Sequence, residues 1–139
     1  MSESMEKHLA LIQGVINRLA QNSFAYKGWA ITLVAAIFAL SAKESNPQFL
    51  SIALLPTLAF WGLDAYYLRQ ERLFRKLYDG IRAMKDGEWS QNPYSMDTSP
   101  YRGQVASWWR TCLSKTIRWL YLPLILVVLA VTTLSFAFN

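Results

Sequence analysis

The sequence predicts an all-α integral membrane protein: three transmembrane helices, an amphipathic N-terminal helix and a cytoplasmic extension of the second span. Three observations carry this expectation. Apolar residues make up 53% of the chain and fall in long blocks, with the charges between them. The block from Trp119 to Phe138 holds 20 residues and no charge; at about 1.5 Å per residue it matches a hydrocarbon core of about 30 Å. Lys and Arg are spread very unevenly over the segments between the blocks, as a membrane topology requires.

The 139 residues suffice for one domain. A net charge of +5 points to an anionic partner, either lipid headgroups or nucleic acid. Retention of Lys and Arg on the cytoplasmic side explains the same excess without any partner. Cys112 is the only cysteine and His8 the only histidine. An intrachain disulfide and a cysteine metal cluster are therefore excluded, and zinc or histidine catalysis ordinarily needs more such groups. No GxSxG, P-loop or metal-ligand spacing occurs. The expectation is a protein that is not an enzyme, with no catalytic residues, no metal and no cofactor. Ser2 to Asn22 is polar and amphipathic, unlike a secretory signal.

Residues 1–23 predict an amphipathic helix. Leu9, Ile12, Ile16 and Leu19 repeat at helical spacing, Leu11 and Val15 widen the stripe, and Gln13, Asn17 and Gln21 lie off it. Ser2 can cap it, with Glu3 and Glu6 in the first turn. Such a helix lies on a membrane surface or packs under the bundle.

Residues 24–68 predict a transmembrane hairpin, with spans at about 24–42 and 48–67. Gly28 to Ala42 is free of charge but only 15 residues long. A snorkelling Lys27 extends the span to Phe24 and puts Tyr26 and Trp29 at headgroup depth. Lys43 to Pro47 predicts a tight polar turn. The second span carries Pro56 near its middle, where a kink is expected. Beyond Asp64 the apolar stripe continues through Leu73, Leu77, Ile81 and Met84. One long helix from about Gln48 to Met84 is expected, leaving the bilayer near Tyr66, pinned by a Glu71–Arg75 pair and ended by Gly87.

Residues 69–118 predict a basic helical region and loop. Asp86 to Gly103 holds Gly87, Asn92-Pro93, Ser99-Pro100 and Gly103, the chemistry of a loop. A helical segment then opens near Gln104. Its apolar face carries Trp108, Trp109, Cys112 and Ile117, its basic face Arg110, Lys115 and Arg118. Residues 119–138 form the third span, with Pro123 near its start.

Three basic residues precede the first span, one follows it, ten lie between the second and third spans, and none follows the third. With three spans these counts place the N-terminus and the long loop in the cytoplasm and the C-terminus outside. Tyr26, Trp29, Trp61, Tyr66, Tyr67, Trp119 and Tyr121 then cluster at the cytoplasmic ends.

Two sets of residues are candidate sites. Asp64, Tyr66, Tyr67 and Pro56 form a gate or interface set, since a carboxylate at a span end serves as a gate, an ion ligand or a partner for Arg69. The bland reading is a carboxylate resting in the interface, anchored by the tyrosines. Arg69, Arg72, Arg75, Arg102, Trp108, Trp109, Arg110, Lys115 and Arg118 form a ligand-binding set. Arginine forks bind phosphate oxygens, and flat aromatic faces stack on bases. Membrane interfaces use the same residues for lipid.

Two stretches carry a resemblance. One is Ile12-Gln13-Gly14-Val15-Ile16-Asn17-Arg18-Leu19-Ala20-Gln21-Asn22-Ser23-Phe24, running into Lys27-Gly28-Trp29. The other is Phe60-Trp61-Gly62-Leu63-Asp64-Ala65-Tyr66-Tyr67-Leu68-Arg69-Gln70-Glu71-Arg72, running on to Leu77-Tyr78-Asp79. Together they resemble a family of small bacterial membrane proteins, similar to membrane effectors of anti-phage defence of Hailong type and to SLATT-like effectors encoded beside nucleotidyltransferases. The resemblance implies a bacterial inner-membrane, tetrameric, channel-like effector held shut by a DNA oligomer, with a nucleotidyltransferase encoded nearby. It carries over no ligand-binding residues.

The expected function is an oligomeric ion-channel-like or pore-forming effector, gated by a nucleotide or single-stranded DNA oligomer on its cytoplasmic side. Its partners would be membrane lipid and further copies of itself. The alternative is a non-conducting membrane-anchoring adaptor that docks a protein through its first helix and the Leu73–Met84 stripe.

Overall fold

A computed structural model describes residues 2–44 and 48–138. The described chain is all helical, in the order α1 (Glu3–Glu44), α2 (Gln48–Ile52), α3 (Leu54–Arg82), α4 (Asp86–Trp89), a 3-10 turn (Ser99–Gln104), α5 (Trp108–Cys112) and α6 (Lys115–Ala137). Two of these, α1 and α6, are long and apolar enough to cross a membrane.

The first 44 residues correct an expectation. The amphipathic segment and the first apolar block are one unbroken helix of 42 residues. No proline interrupts it, and the Ser2 hydroxyl accepts the Met5 N–H to start it, as the sequence suggests. Its stripe does not lie on a membrane surface. Met5, Leu9, Ile12 and Ile16 are buried against Leu77, Ile81 and Trp89, with Phe74 and Tyr78 beside them. Each such apolar side chain contributes about 1.5–3 kcal/mol when fully buried. The stripe on α1 and the stripe on α3 face each other, and each removes the other from solvent. The two helices run antiparallel along most of their length.

The second block departs from one continuous helix. It breaks at Ala53, between α2 and α3. Pro56 is the cause: it lacks the N–H that would bond to Ile52, and its ring crowds that carbonyl. Pro56 therefore occupies the first turn of α3 rather than a mid-helix kink. At the break Ala53 is fully buried against Val34 of α1 and Val128 of α6, where a small residue lets three helices approach. Of the turn expected from Lys43 to Pro47, Lys43 and Glu44 belong to α1, and residues 45–47 lie outside the described residues.

At its far end α3 stops at Arg82, five residues before Gly87 (which sits inside α4). There the Ala83 N–H donates to the Asp79 carbonyl and the Met84 N–H to the Ile81 carbonyl. The following segment has two short helical elements where a loop was expected. Gly80 lets it pack close: a β-carbon there would collide with the Tyr101 ring. The segment after Gln104 is likewise not one helix. Ser107 caps α5 by accepting the Arg110 N–H, and Ser114 restarts the chain as α6. The helix continues through Pro123.

The result is two regions. An apolar half holds the end of α1 and the start of α3 with α2 and α6. A polar stalk holds the start of α1 and the end of α3, closed by the segment around Trp89. Ala30 and Ala65 are fully buried where α1 and α3 meet near the boundary, with Ile117 and Tyr121 of α6 against them.

Candidate functional site

Polar side chains meet inside the apolar packing at the junction of these regions. Asp64 is fully buried. Its position on the inner face of α3 points it at α1, where Ser23 and Lys27 lie one helical turn apart. The Ser23 hydroxyl donates to Asp64 Oδ1, and Lys27 Nζ donates to Ser23 Oγ at 2.9 Å. Lys27 Nζ also lies 2.6 Å from Asp64 Oδ2, an oxygen that receives no other donor. The Tyr121 hydroxyl of α6 is buried and completes no hydrogen bond among the described residues.

The sequence pointed to Asp64 and offered Arg69 as one candidate partner. Arg69 instead donates to the Ala106 carbonyl at 3.2 Å, one turn farther along the stalk. Lys27 is the partner. Ser23 and Tyr121 went unnoticed. A usable signal was present, since Lys27 and Asp64 are the only charges close inside the first two apolar blocks and an isolated charge there needs an opposite one.

Around the pair is an aromatic band. Tyr26 lies 5.3 Å from Tyr67 and 5.6 Å from Phe60, ring centre to ring centre. Tyr66 meets Tyr67 edge to face and is half exposed. Of the predicted gate set, Asp64 and the tyrosines are therefore neighbours in sequence but differ in environment, and Pro56 lies two turns away.

A second cluster joins α3 to α5. Trp61 donates its indole N–H to the Cys112 carbonyl at 2.8 Å, and Trp108 donates its own to the Gly62 carbonyl at 3.0 Å. Each helix thus accepts from the other. Gly62 permits the approach, because a β-carbon there would sit 3.3 Å from the Trp108 ring. Trp61 also stacks on Tyr121, with planes 5° apart. Beside this staple opens an apolar groove of about 460 Å³, walled by Leu58, Trp61, Gly62, Trp109, Cys112 and Leu113. Burial pushes the Cys112 thiol above its ordinary range.

A third cluster closes the stalk. His8, fully buried, accepts the Trp89 indole N–H at Nδ1 (2.9 Å), and its Nε2 lies 2.8 Å from the Ser95 carbonyl. An indole only donates and a carbonyl only accepts, so the ring carries its proton on Nε2. Tyr94 packs on both rings and holds a positive φ of 57°. That backbone state is unfavourable for a bulky residue and persists where surrounding contacts fix it.

The nine predicted ligand residues do not share one surface. Arg69 and Arg72 are half-buried on α3. Arg75 pairs with Glu71 at 2.8 Å, the expected i,i+4 contact. Arg102 lies near Asp97, whose carboxyl is held below its usual range mainly by hydrogen bonds from Ser99. Trp108 and Trp109 pack edge to face, 4.7 Å between centres, at the groove rather than on a basic face. Arg110, Lys115 and Arg118 are exposed on α5 and the first turn of α6.

Compared with protein-family models, with curated proteins and with solved structures, the chain matches none.

Proposed function

We propose that the protein is an oligomeric, channel-like effector of a bacterial inner membrane. Its apolar half would cross the bilayer three times, through α1, through α2 with the start of α3, and through α6. The stalk and its N-terminus would stand in the cytoplasm and the C-terminus outside. The observation that carries the reading is the Lys27–Asp64 pair. A buried ion pair at the head of a span is costly to keep in a passive anchor and is ordinarily retained where it works. We assign it the role of a lock that holds α1 and α3 together in the closed state.

Ligand binding on the stalk would bias that lock. α3 carries Arg69, Arg72 and Arg75 on the same helix as Asp64 of the ion pair. A nucleotide or single-stranded DNA oligomer, made by a nucleotidyltransferase encoded nearby, fits this basic face. It would act only through a difference in affinity between open and closed states. Exposed Leu33, Leu40, Leu55 and Leu126 on the apolar half leave faces for lipid or for further copies of the chain. A single copy has too few helices to enclose a pore, so conduction requires assembly, with the tetramer implied by resemblance.

The alternative, a non-conducting adaptor, would dock its partner through its first helix and the Leu73–Met84 stripe. That stripe is already covered by α1. Membrane potential in cells expressing the chain alone, then with its genomic neighbours, separates the two. Depolarisation that the neighbours suppress or trigger is expected. An intact potential under every condition, with the protein present in the membrane, overturns the channel reading.

A further inference from the structure

We propose that the groove between α3 and α5 holds an acyl chain of an anionic phospholipid, whose headgroup phosphate rests on the first turn of α6. The proposal rests on the membrane placement given above and not on conduction.

The groove is apolar on every side and has the volume for a length of hydrocarbon chain, about 460 Å³. Its outer wall is open: Trp109 is 75% exposed and Leu113 57%. Leu113, which lines it, is followed directly by Ser114, the residue before the first turn of α6. At Leu113 the groove lining is separated by one residue from the start of that helix.

That helix start is built for an anion. The first backbone N–H groups of a helix lack intrahelical acceptors and carry its positive dipole end. In α6 the Ser114 carbonyl takes the Ile117 and Arg118 N–H groups, leaving those of Lys115 and Thr116 free of backbone partners. Ser114 makes no side-chain cap, and its hydroxyl is buried without a hydrogen bond. Arg110, Lys115 and Arg118 flank the same turn, exposed and without an ion pair among the described residues. The sequence has no acidic residue after Asp97 to neutralise them.

Charge selects the occupant. A second copy of the chain would bring the same three cations against these three. A zwitterionic lipid offers the phosphate together with a repelling cation. An anionic lipid supplies hydrocarbon for the groove and net negative charge for the turn.

Cys112 lines the groove and is the only cysteine, so its alkylation reports occupancy. The full chain, purified in a neutral detergent, is treated with N-ethylmaleimide while phosphatidylglycerol or phosphatidylcholine of the same acyl chains is added. Protection by phosphatidylglycerol is expected at about tenfold lower concentration than by phosphatidylcholine. R110Q/K115Q/R118Q should remove the difference between headgroups while some protection by both lipids persists. Equal protection of the wild-type chain by both lipids, or protection by neither, overturns the proposal. So does protection that tracks protein concentration, as a second copy would give, or protection by a DNA oligomer in place of lipid. Resistance of the expressed chain to carbonate extraction is checked in parallel. Release from membranes would sink the membrane placement itself, whereas retention without headgroup preference would sink only the lipid site.

Discussion

Lys27 and Asp64 stand 2.6 Å apart across the α1–α3 contact, and Asp64 has no exposed surface. Removing one member leaves the other charged and unpaired in a poorly solvated site, at a cost of about 3–5 kcal/mol. Asp64→Leu or Lys27→Met alone should therefore destabilise the protein strongly. Replacing both removes the desolvation penalty along with the attraction and should return stability to near the wild-type level. Unfolding of the detergent-solubilised chain by added denaturant, compared over the four members of the cycle, measures this. Additive losses in the double variant would mean the two side chains are not coupled.

His8 ties the start of α1 to a segment more than 80 positions away through Trp89 and Ser95. His8→Ala leaves the buried Trp89 N–H without its acceptor, a loss of about 1–3 kcal/mol. The expected effect is local. Limited proteolysis should cut the Asn92–Met96 region sooner, while the α3–α6 half keeps its protection. Unchanged cleavage would show that Tyr94 and the apolar contacts hold the segment without the histidine.

Burial raises the Cys112 thiol above the usual range. The thiolate is the reacting form, so a raised value leaves less of it at any given pH. Alkylation of Cys112 should approach its maximal rate at higher pH than a free thiol does. Trp109→Ala opens the groove to water and should move the profile back towards ordinary pH. A profile identical to that of a free thiol would contradict the burial.

The sequence was most legible where one periodicity dominates. The stripes at Leu9, Ile12 and Ile16 and at Leu73, Leu77 and Ile81 were both visible, and both are buried. Their mutual contact was not, because spacing along a helix names an apolar face without naming what covers it. Trp119 to Phe138 read directly as a helix for the same reason. Breaks were harder. Pro56 predicts a disturbance, but whether it bends a helix or begins one depends on the neighbours that close around Ala53. The candidate site suffered most. Arg and Trp residues that look alike in sequence separate in space, since Trp108 reaches for the Gly62 carbonyl while Arg110, two positions on, faces solvent. His8 and Trp89 carried no local signal at all, as their hydrogen bond joins distant parts of the chain.

The length of α1 has a mechanical consequence. At about 1.5 Å per residue, 42 residues make a rod of about 63 Å. Besides its apolar packing, it is fastened by polar contacts at two places, at His8 near one end and at Lys27 near its centre. Axial sliding against α3 would shear both fastenings at once, while a swing about the Lys27 position strains chiefly the one at His8. The rod is therefore a lever whose fulcrum is the ion pair. A pull on the His8 end acts on the ion pair through about 28 Å of helix.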